Sequence, residues 1–358
     1  MQKLLLIYLP VFCIFCIFDV PVNAQSPVDS PNLFTGDSAL ELTLSGNIRE
    51  LLNDRLETPT YHPLLLLYKA QNGNEISVSV EAKTRGHFRK LKENCMYPPL
   101  AVHFTQNDAL KHSLFKDQDK LKLVMPCVSD DYIVKEWLVY KLYNLVTPNS
   151  FKARLVKVKL DDTKTKKTGG IFYGILLEEE KEMAKRNGMI AVNRKLQPNQ
   201  TEPIAFLTMA VFEYLAGNTD WSVQYLQNIK LVATDSMITP IAVPYDFDHA
   251  GLVNAPYAKP AEELLMSSVR QRRYRGYCVG DMEKFDPVIT FYNQLKNSIY
   301  QLYTTCNLLD EKYKTTTIKY LDEFYATIND ADKMKKAFGY PCDKKGTGNV
   351  VIKGLKED

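Results

Sequence analysis

Apolar and polar residues alternate with a period of two through "EISVSVEAKTRG", where Ile76, Val78 and Val80 are separated by Ser77 and Ser79. That is the pattern of a strand with one buried face. The preceding run "YHPLLLLYKA" is joined to it by "QNGN", and Asn72-Gly73 between two strand-like runs predicts a hairpin. "PPLAVHF" and "DKLKLVM" add two more strand-like runs, so the N-terminal third reads as mainly β. A helical period follows. It opens at Ser129 or Asp130 as N-cap and runs through "DYIVKEWLVYKLYNLV" until Pro148, with Val134, Leu138, Leu142 and Leu145 as its core stripe. "ARLVKVKLDD" and "GGIFYGILLEEE" predict another strand pair, joined by the solvated basic loop "TKTKKTGG". From Thr201 the pattern is largely helical. Pro203 sits in a first turn, Ile204, Leu207, Val211 and Leu215 share a face, and Gly217 ends the helix. A small strand pair, "NIKLVA" and "ITPIAVPYDFD", interrupts it before at least two helices from about Pro287 to Phe338.

The first residues change the expected compartment. Lys3, the apolar run "LLLIYLPVFCIFCIF" and the small-residue ending "VNA" form the three parts of a secretory signal, with cleavage expected after Ala24. The run is shorter than the ~20 apolar residues that span a bilayer, so a secreted or periplasmic protein without a membrane span is expected. Losing Lys3 and Asp19 leaves the formal charge at +3, and a near-neutral exported chain gives no reason to expect nucleic acid as a partner. Cys13 and Cys16 lie in the apolar run. Of the remaining Cys95, Cys127, Cys278, Cys306 and Cys342, the first two flank one sheet region and are the expected disulfide pair. Residues 25–37 are polar and proline-punctuated and read as a flexible lead.

The chemistry gathers at the small strand pair. A helix ends at "GNTDW", a strand opens at Asn228 in "LQNIKLV", and the return strand delivers "YDFD". Asp220, Asn228, Asp246 and Asp248 are thus expected at one end of a two-stranded ribbon. Were the strand to continue, Asp246 and Asp248 would share a face, and two carboxylates so placed repel each other unless a cation compensates them. Hard oxygen donors of this kind suit Mg²⁺ or Mn²⁺ bound together with substrate phosphates.

"GNTDW…NIKLV…VPYDFDHAG" resembles the C-terminal half of the secreted spore-coat-protein-H-like (CotH) kinase family, in which Asn-x-Asp-Trp precedes an Asn-bearing strand and Pro-x-Asp-x-Asp. "VEAKTRGHFRK", "DKLKLVM" with the helix around Glu136, and "FYGILLEEE" resemble earlier family segments, in the same order, over roughly residues 38–300. The resemblance implies an α+β, two-lobed protein-kinase-like fold. A β-rich lobe would span about 38–180, a helix-rich lobe about 181–300, and a C-terminal helical extension and tail 301–358. It implies Asp220 as the catalytic Asp, Asn228 and Asp246 as metal ligands, and Asp248 as a second ligand or a carboxylate just behind them. Here Asn228 follows Asp220 by eight positions, against five in ordinary protein kinases.

The nucleotide end departs from the family. No Gly-rich phosphate loop is present, and the strand after Arg85-Gly86 is "NCMYPPLAVHF", without lysine. Lys122 takes the place of the phosphate-pairing Lys, with Glu136 or Glu178 as its ion-pair partner. Arg85 or Arg89 is the alternative phosphate contact, because a guanidinium binds phosphate bidentately. "SVRQRRYRGYC" offers Arg270, Arg272, Arg273 and Arg275 as an anion or substrate surface, or as internal ion-pair partners. The function implied by the resemblance is metal-dependent transfer of the ATP γ-phosphoryl group to Ser or Thr of a protein acceptor, with a glycan as alternative acceptor. The competing expectation is a non-catalytic binding or surface-assembly protein that keeps the fold without the chemistry.

Overall fold

The computed structural model describes residues 32–36, 38–339 and 342. The signal at 1–24 and most of the lead (25–31 and 37) therefore lie outside the described residues. Seven strands form a closed barrel: β1 (Leu40–Gly46), β2 (His62–Lys69), β3 (Glu75–Thr84), β4 (Leu100–Phe104), β5 (Lys120–Val124), β6 (Ala153–Asp162) and β7 (Lys167–Leu177), in the order β1-β2-β3-β4-β5-β7-β6. A separate three-stranded sheet, β10-β9-β8, contains β8 (Ile190–Val192), β9 (Ile229–Ala233) and β10 (Ile241–Pro244). The helices are α1 (Ile48–Asn53), α2 (Asp108–Lys111), α3 (Asp131–Val146), α4 (Glu180–Arg186), α5 (Pro203–Ala216), α6 (Asp286–Thr304), α7 (Glu311–Ile328) and α8 (Ala331–Phe338).

This overturns the expected two-lobed protein-kinase-like fold with its helix-rich C-terminal lobe. The physical reason is β1. Its antiparallel neighbour is β2, with Leu42 opposite Tyr68, and its parallel neighbour is β6, with Leu40 opposite Val156, so the sheet closes with no open edge. Period-two alternation then feeds two cores from one barrel wall. Val156, Val158, Phe172 and Leu176 fill the barrel interior, whereas Leu155, Ile175 and Leu177 pack into a second core shared with α3, α5, α6 and α7. The helices are built onto the barrel wall through that shared core. Leu321, Phe324 and Phe338, beyond position 300, belong to it as well.

Several local elements follow their sequence signals. β2 and β3 meet at Lys69 opposite Glu75, and Gly73 supplies the positive φ (84°) that the Asn72-Gly73 turn needs. α3 begins and ends within two residues of its signals, but Leu145 in the expected stripe is 39% exposed while Glu136 is buried. α5 starts on Pro203 and ends on Gly217, which adopts φ +69° as a left-handed cap; Ile204 of its expected face is exposed. Cys95 and Cys127 form the expected disulfide, a second joins Cys278 to Cys342, and Cys306 is unpaired. No helix among the described residues is long and apolar enough to cross a membrane.

Candidate functional site

The left-handed turn at Gly217 redirects the chain into Asn218, Thr219, Asp220 and Trp221. A Cβ at Gly217 would collide with the Tyr320 hydroxyl and crowd Gly251, so a side chain is excluded there on packing as well as on φ. The Asn218 side-chain oxygen then accepts from the Asp220 backbone N–H at 3.1 Å. Asn228, at φ +50° immediately before β9, aims its amide back at this turn. Its Nδ2 donates to the Asp220 carboxylate at 3.0 Å and to the Asp220 carbonyl at 2.7 Å. Asp220 and Asn228 thus form one hydrogen-bonded unit.

β10 ends at Pro244, so Asp246 and Asp248 are not successive positions of a strand face. Asp246 has φ +64°, a conformation costly for a non-glycine residue and held in place by the Tyr140 hydroxyl, which accepts its backbone N–H at 2.9 Å. Its carboxylate meets Lys122 Nζ at 2.9 Å. Lys122 lies on β5 between Leu121 and Leu123, which enter the barrel core, so alternation sends its side chain out of the wall toward Asp246. Asp248 is buried, accepts from the Tyr257 hydroxyl at 3.1 Å and stands 3.5 Å from Arg89. Arg89 is buried too, lies 3.6 Å from Glu136 and donates to the Met125 carbonyl at 2.6 Å. The Cys95–Cys127 disulfide ties the segment after Arg89 to the segment after Met125, which steadies this contact.

The charge compensation that the sequence pattern called for is supplied within the chain, by Lys122 for Asp246 and Arg89 for Asp248. Burial pushes the Asp246 carboxyl up, but Lys122, Arg89 and Arg85 outweigh it and hold the group below its ordinary value. Asp220 moves the other way. Burial raises it, with Asp248 and Asp246 adding to the rise and His249 and Arg275 opposing it. A carboxyl raised in this way is a better proton acceptor than an ordinary Asp.

Of the other sequence candidates, Arg85 stands exposed beyond β3 within electrostatic reach of Asp246. Glu136 joins the site through Arg89. Glu178 does not: it is held at 2.9 and 3.0 Å by Arg186 and accepts the Lys152 backbone N–H at 2.9 Å. The arginine cluster is engaged largely with backbone carbonyls. Arg270 donates to the Gly251 carbonyl, Arg272 to those of Leu215 and Tyr320, and Arg275 to those of Thr219 and Trp221. Arg273 lines a polar groove with Arg270, Gln271, Arg272 and Glu323. Tyr140 and Tyr257 escaped sequence reasoning. Tyr140 carried a usable signal, since it lies four residues after Glu136 and so shares its helix face; Tyr257 in "NAPYAKP" carried none.

Burial pushes Glu136 up to about 8, against the pull of Arg89 and with the push of Asp248 and Asp246. The folded protein therefore holds this proton more tightly than the unfolded chain, whose ordinary value is 4.5. The stability it contributes is full below that value and is lost as pH rises from about 4.5 to about 8. Glu136→Gln should flatten this stretch of the curve of thermal midpoint against pH, and an unchanged slope would place the titration on another group.

Three oxygens, Asp246 Oδ1, Asp248 Oδ1 and Asn228 Oδ1, take none of the bonds described above. Two carboxylates and an amide are hard oxygen donors of the kind Mg²⁺ takes when water or nucleotide phosphates complete its shell. Among the described residues no group of three or more His, Cys, Asp and Glu side chains is placed to hold a metal by itself. A divalent cation bound here would have to take most of its shell from phosphate oxygens or water. Comparison with models of known protein families and with curated proteins finds no match.

Proposed function

We propose that this chain is an exported, metal-dependent phosphotransferase that moves the γ-phosphoryl group of ATP to a Ser or Thr hydroxyl of a protein acceptor. One observation carries the reading. Asp220 with Asn228, and Asp246 with Lys122, come from four separate segments and present a raised carboxyl beside a lowered one with a cation attached. Phosphoryl transfer requires positioning and charge stabilisation of this kind and little covalent chemistry. The motif resemblance to CotH-like kinases supports the same chemistry, while the barrel means that the argument rests on the site alone. The two disulfides support export.

In this reading the acceptor hydroxyl oxygen forms a bond to the γ-phosphorus, the bond from that phosphorus to the bridging oxygen breaks, and ADP departs with the electron pair. Asp220 takes the hydroxyl proton, and Asn228 orients its carboxylate. Lys122 exchanges Asp246 for phosphate oxygens as nucleotide enters. Arg89 holds the Asp248 carboxylate in place. Asp246, Asp248 and Asn228 would hold a divalent ion, which would supply neutralising charge to the phosphates.

A second reading, a binding protein without turnover, is favoured by the internal pairing of both carboxylates, Asp246 with Lys122 and Asp248 with Arg89. One experiment separates the two. Purified chain is given γ-labelled ATP, Mn²⁺ or Mg²⁺, and dephosphorylated casein as acceptor, with nucleotide binding followed by calorimetry. Label entering casein and stopped by chelator is the expected result. Binding without transfer supports the second reading, and neither binding nor transfer removes the phosphotransferase.

A further inference from the structure

We propose that Arg275 is the positioning residue for Asp220, an inference that rests on the phosphotransfer reading for its catalytic consequence. Its Nη1 donates to the Thr219 carbonyl at 2.5 Å and to the Trp221 carbonyl at 2.8 Å, gripping the chain on both sides of Asp220. The guanidinium also lies 5.9 Å from the centroid of the Trp221 ring. The turn has its own bonds as well. Asn218 holds the Asp220 N–H, Asn228 holds its carbonyl, and the Trp221 indole donates to the Asn218 carbonyl at 3.3 Å. Arg275 closes the set from a segment far along the chain.

The neighbouring arginines do a different job. Arg270 sits 4.3 Å and Arg272 3.4 Å from the centroid of the Tyr320 ring, and their carbonyl partners are Gly251, Leu215 and Tyr320. Of these three, Arg275 is the one whose partners bracket a proposed catalytic group. Its own backbone is confined, because Gly276 packs so closely on the Tyr274 ring that a Cβ there would overlap it. The guanidinium also acts electrostatically on the Glu213 and Asp220 carboxyls, lowering both. Burial pushes the Glu213 carboxyl well above its ordinary value, with Arg275 opposing the rise.

The test uses Arg275→Gln and Arg275→Lys in the full chain. Transfer to casein and calorimetric Mn²⁺-ATP affinity are measured beside amide exchange over residues 218–222. A displaced catalytic group typically costs on the order of 10²-fold in rate. Arg275→Gln should lose about that much transfer while its nucleotide affinity stays within about twofold, and its 218–222 amides should exchange faster. Arg275→Lys keeps the charge without the planar fork and should fall in between, about tenfold below wild type. If Arg275→Gln does not fold, the Lys variant carries the test. Transfer equal to wild type, or nucleotide affinity falling in step with transfer, overturns the proposal. Should wild type itself transfer nothing, the phosphotransfer reading fails and exchange decides the rest: unchanged protection of 218–222 in a folded variant overturns the positioning role.

Discussion

Lys122→Met should lower the stability of the ligand-free protein by about 2–3 kcal/mol, because it strands the Asp246 carboxylate. Removing one partner of a buried pair costs about 3–5 kcal/mol, and the Asp246 side chain, 28% exposed, recovers part of that from water. Lys122 itself is only 9% exposed, so Asp246→Asn should be costly as well, since it leaves an ammonium without its partner. The double variant Lys122→Met, Asp246→Asn should regain most of the loss, because both charges are gone together. Urea denaturation at constant m-value reads all three. The pH sign follows from the lowered Asp246 carboxyl. Its contribution is present above the ordinary carboxylate range and disappears as pH falls through its folded value, so wild type and Lys122→Met should converge in acid. A folded Lys122→Met protein as stable as wild type at neutral pH would show that the pair contributes nothing.

What was legible in the sequence, and what was not, divides along the range of the interaction. The Asn72-Gly73 turn, the Pro203 and Gly217 ends of α5, and the limits of α3 are written in neighbouring residues, and they appear where their signals stand. The closed barrel is not written that way. Leu40, Leu42 and Leu44 alternate visibly, yet nothing near β1 says that its second neighbour is β6, and closure depends on that parallel pairing. The same limit governs the site. Proximity among Asp220, Asn228, Asp246 and Asp248 could be read from the order turn, strand, return strand. The partner of Lys122 could not: the sequence offers Glu136 or Glu178, whereas β5 aims Lys122 outward at Asp246, Glu136 stands by Arg89 and Arg186 holds Glu178. Nor does local pattern announce that the chain leaves the β conformation after Pro244, which invalidates any period-two argument about "YDFD". Arg275 is the sharpest case, because a run of arginines looks like a surface for anions, and only the fold turns this one inward onto the carbonyls around Asp220.

Asp220→Asn should abolish transfer to casein by about 10²–10⁴-fold, the usual contribution of a positioned general base, while leaving Mn²⁺-ATP affinity intact. The substitution keeps the local bonding. The new amide side chain would still offer an oxygen to Asn228 Nδ2, and the backbone carbonyl at this position would still accept its second bond, so the turn has no reason to move. What disappears is the proton acceptor. Stability should stay level or rise, because burial together with Asp248 and Asp246 already disfavours the charged carboxylate at this position. Asp246→Asn should behave differently, losing nucleotide affinity as well as transfer, since Asp246 is the partner of Lys122 and, in the proposed mechanism, a donor toward the cation that would accompany the phosphates. The contrast decides between chemistry and mere binding. A binding protein would show Asp220→Asn and wild type alike in transfer and in nucleotide affinity, whereas a phosphotransferase separates them in transfer and not in affinity. Transfer by folded Asp220→Asn within tenfold of wild type would remove Asp220 from the reaction and, with it, the raised carboxyl on which the proposed mechanism depends.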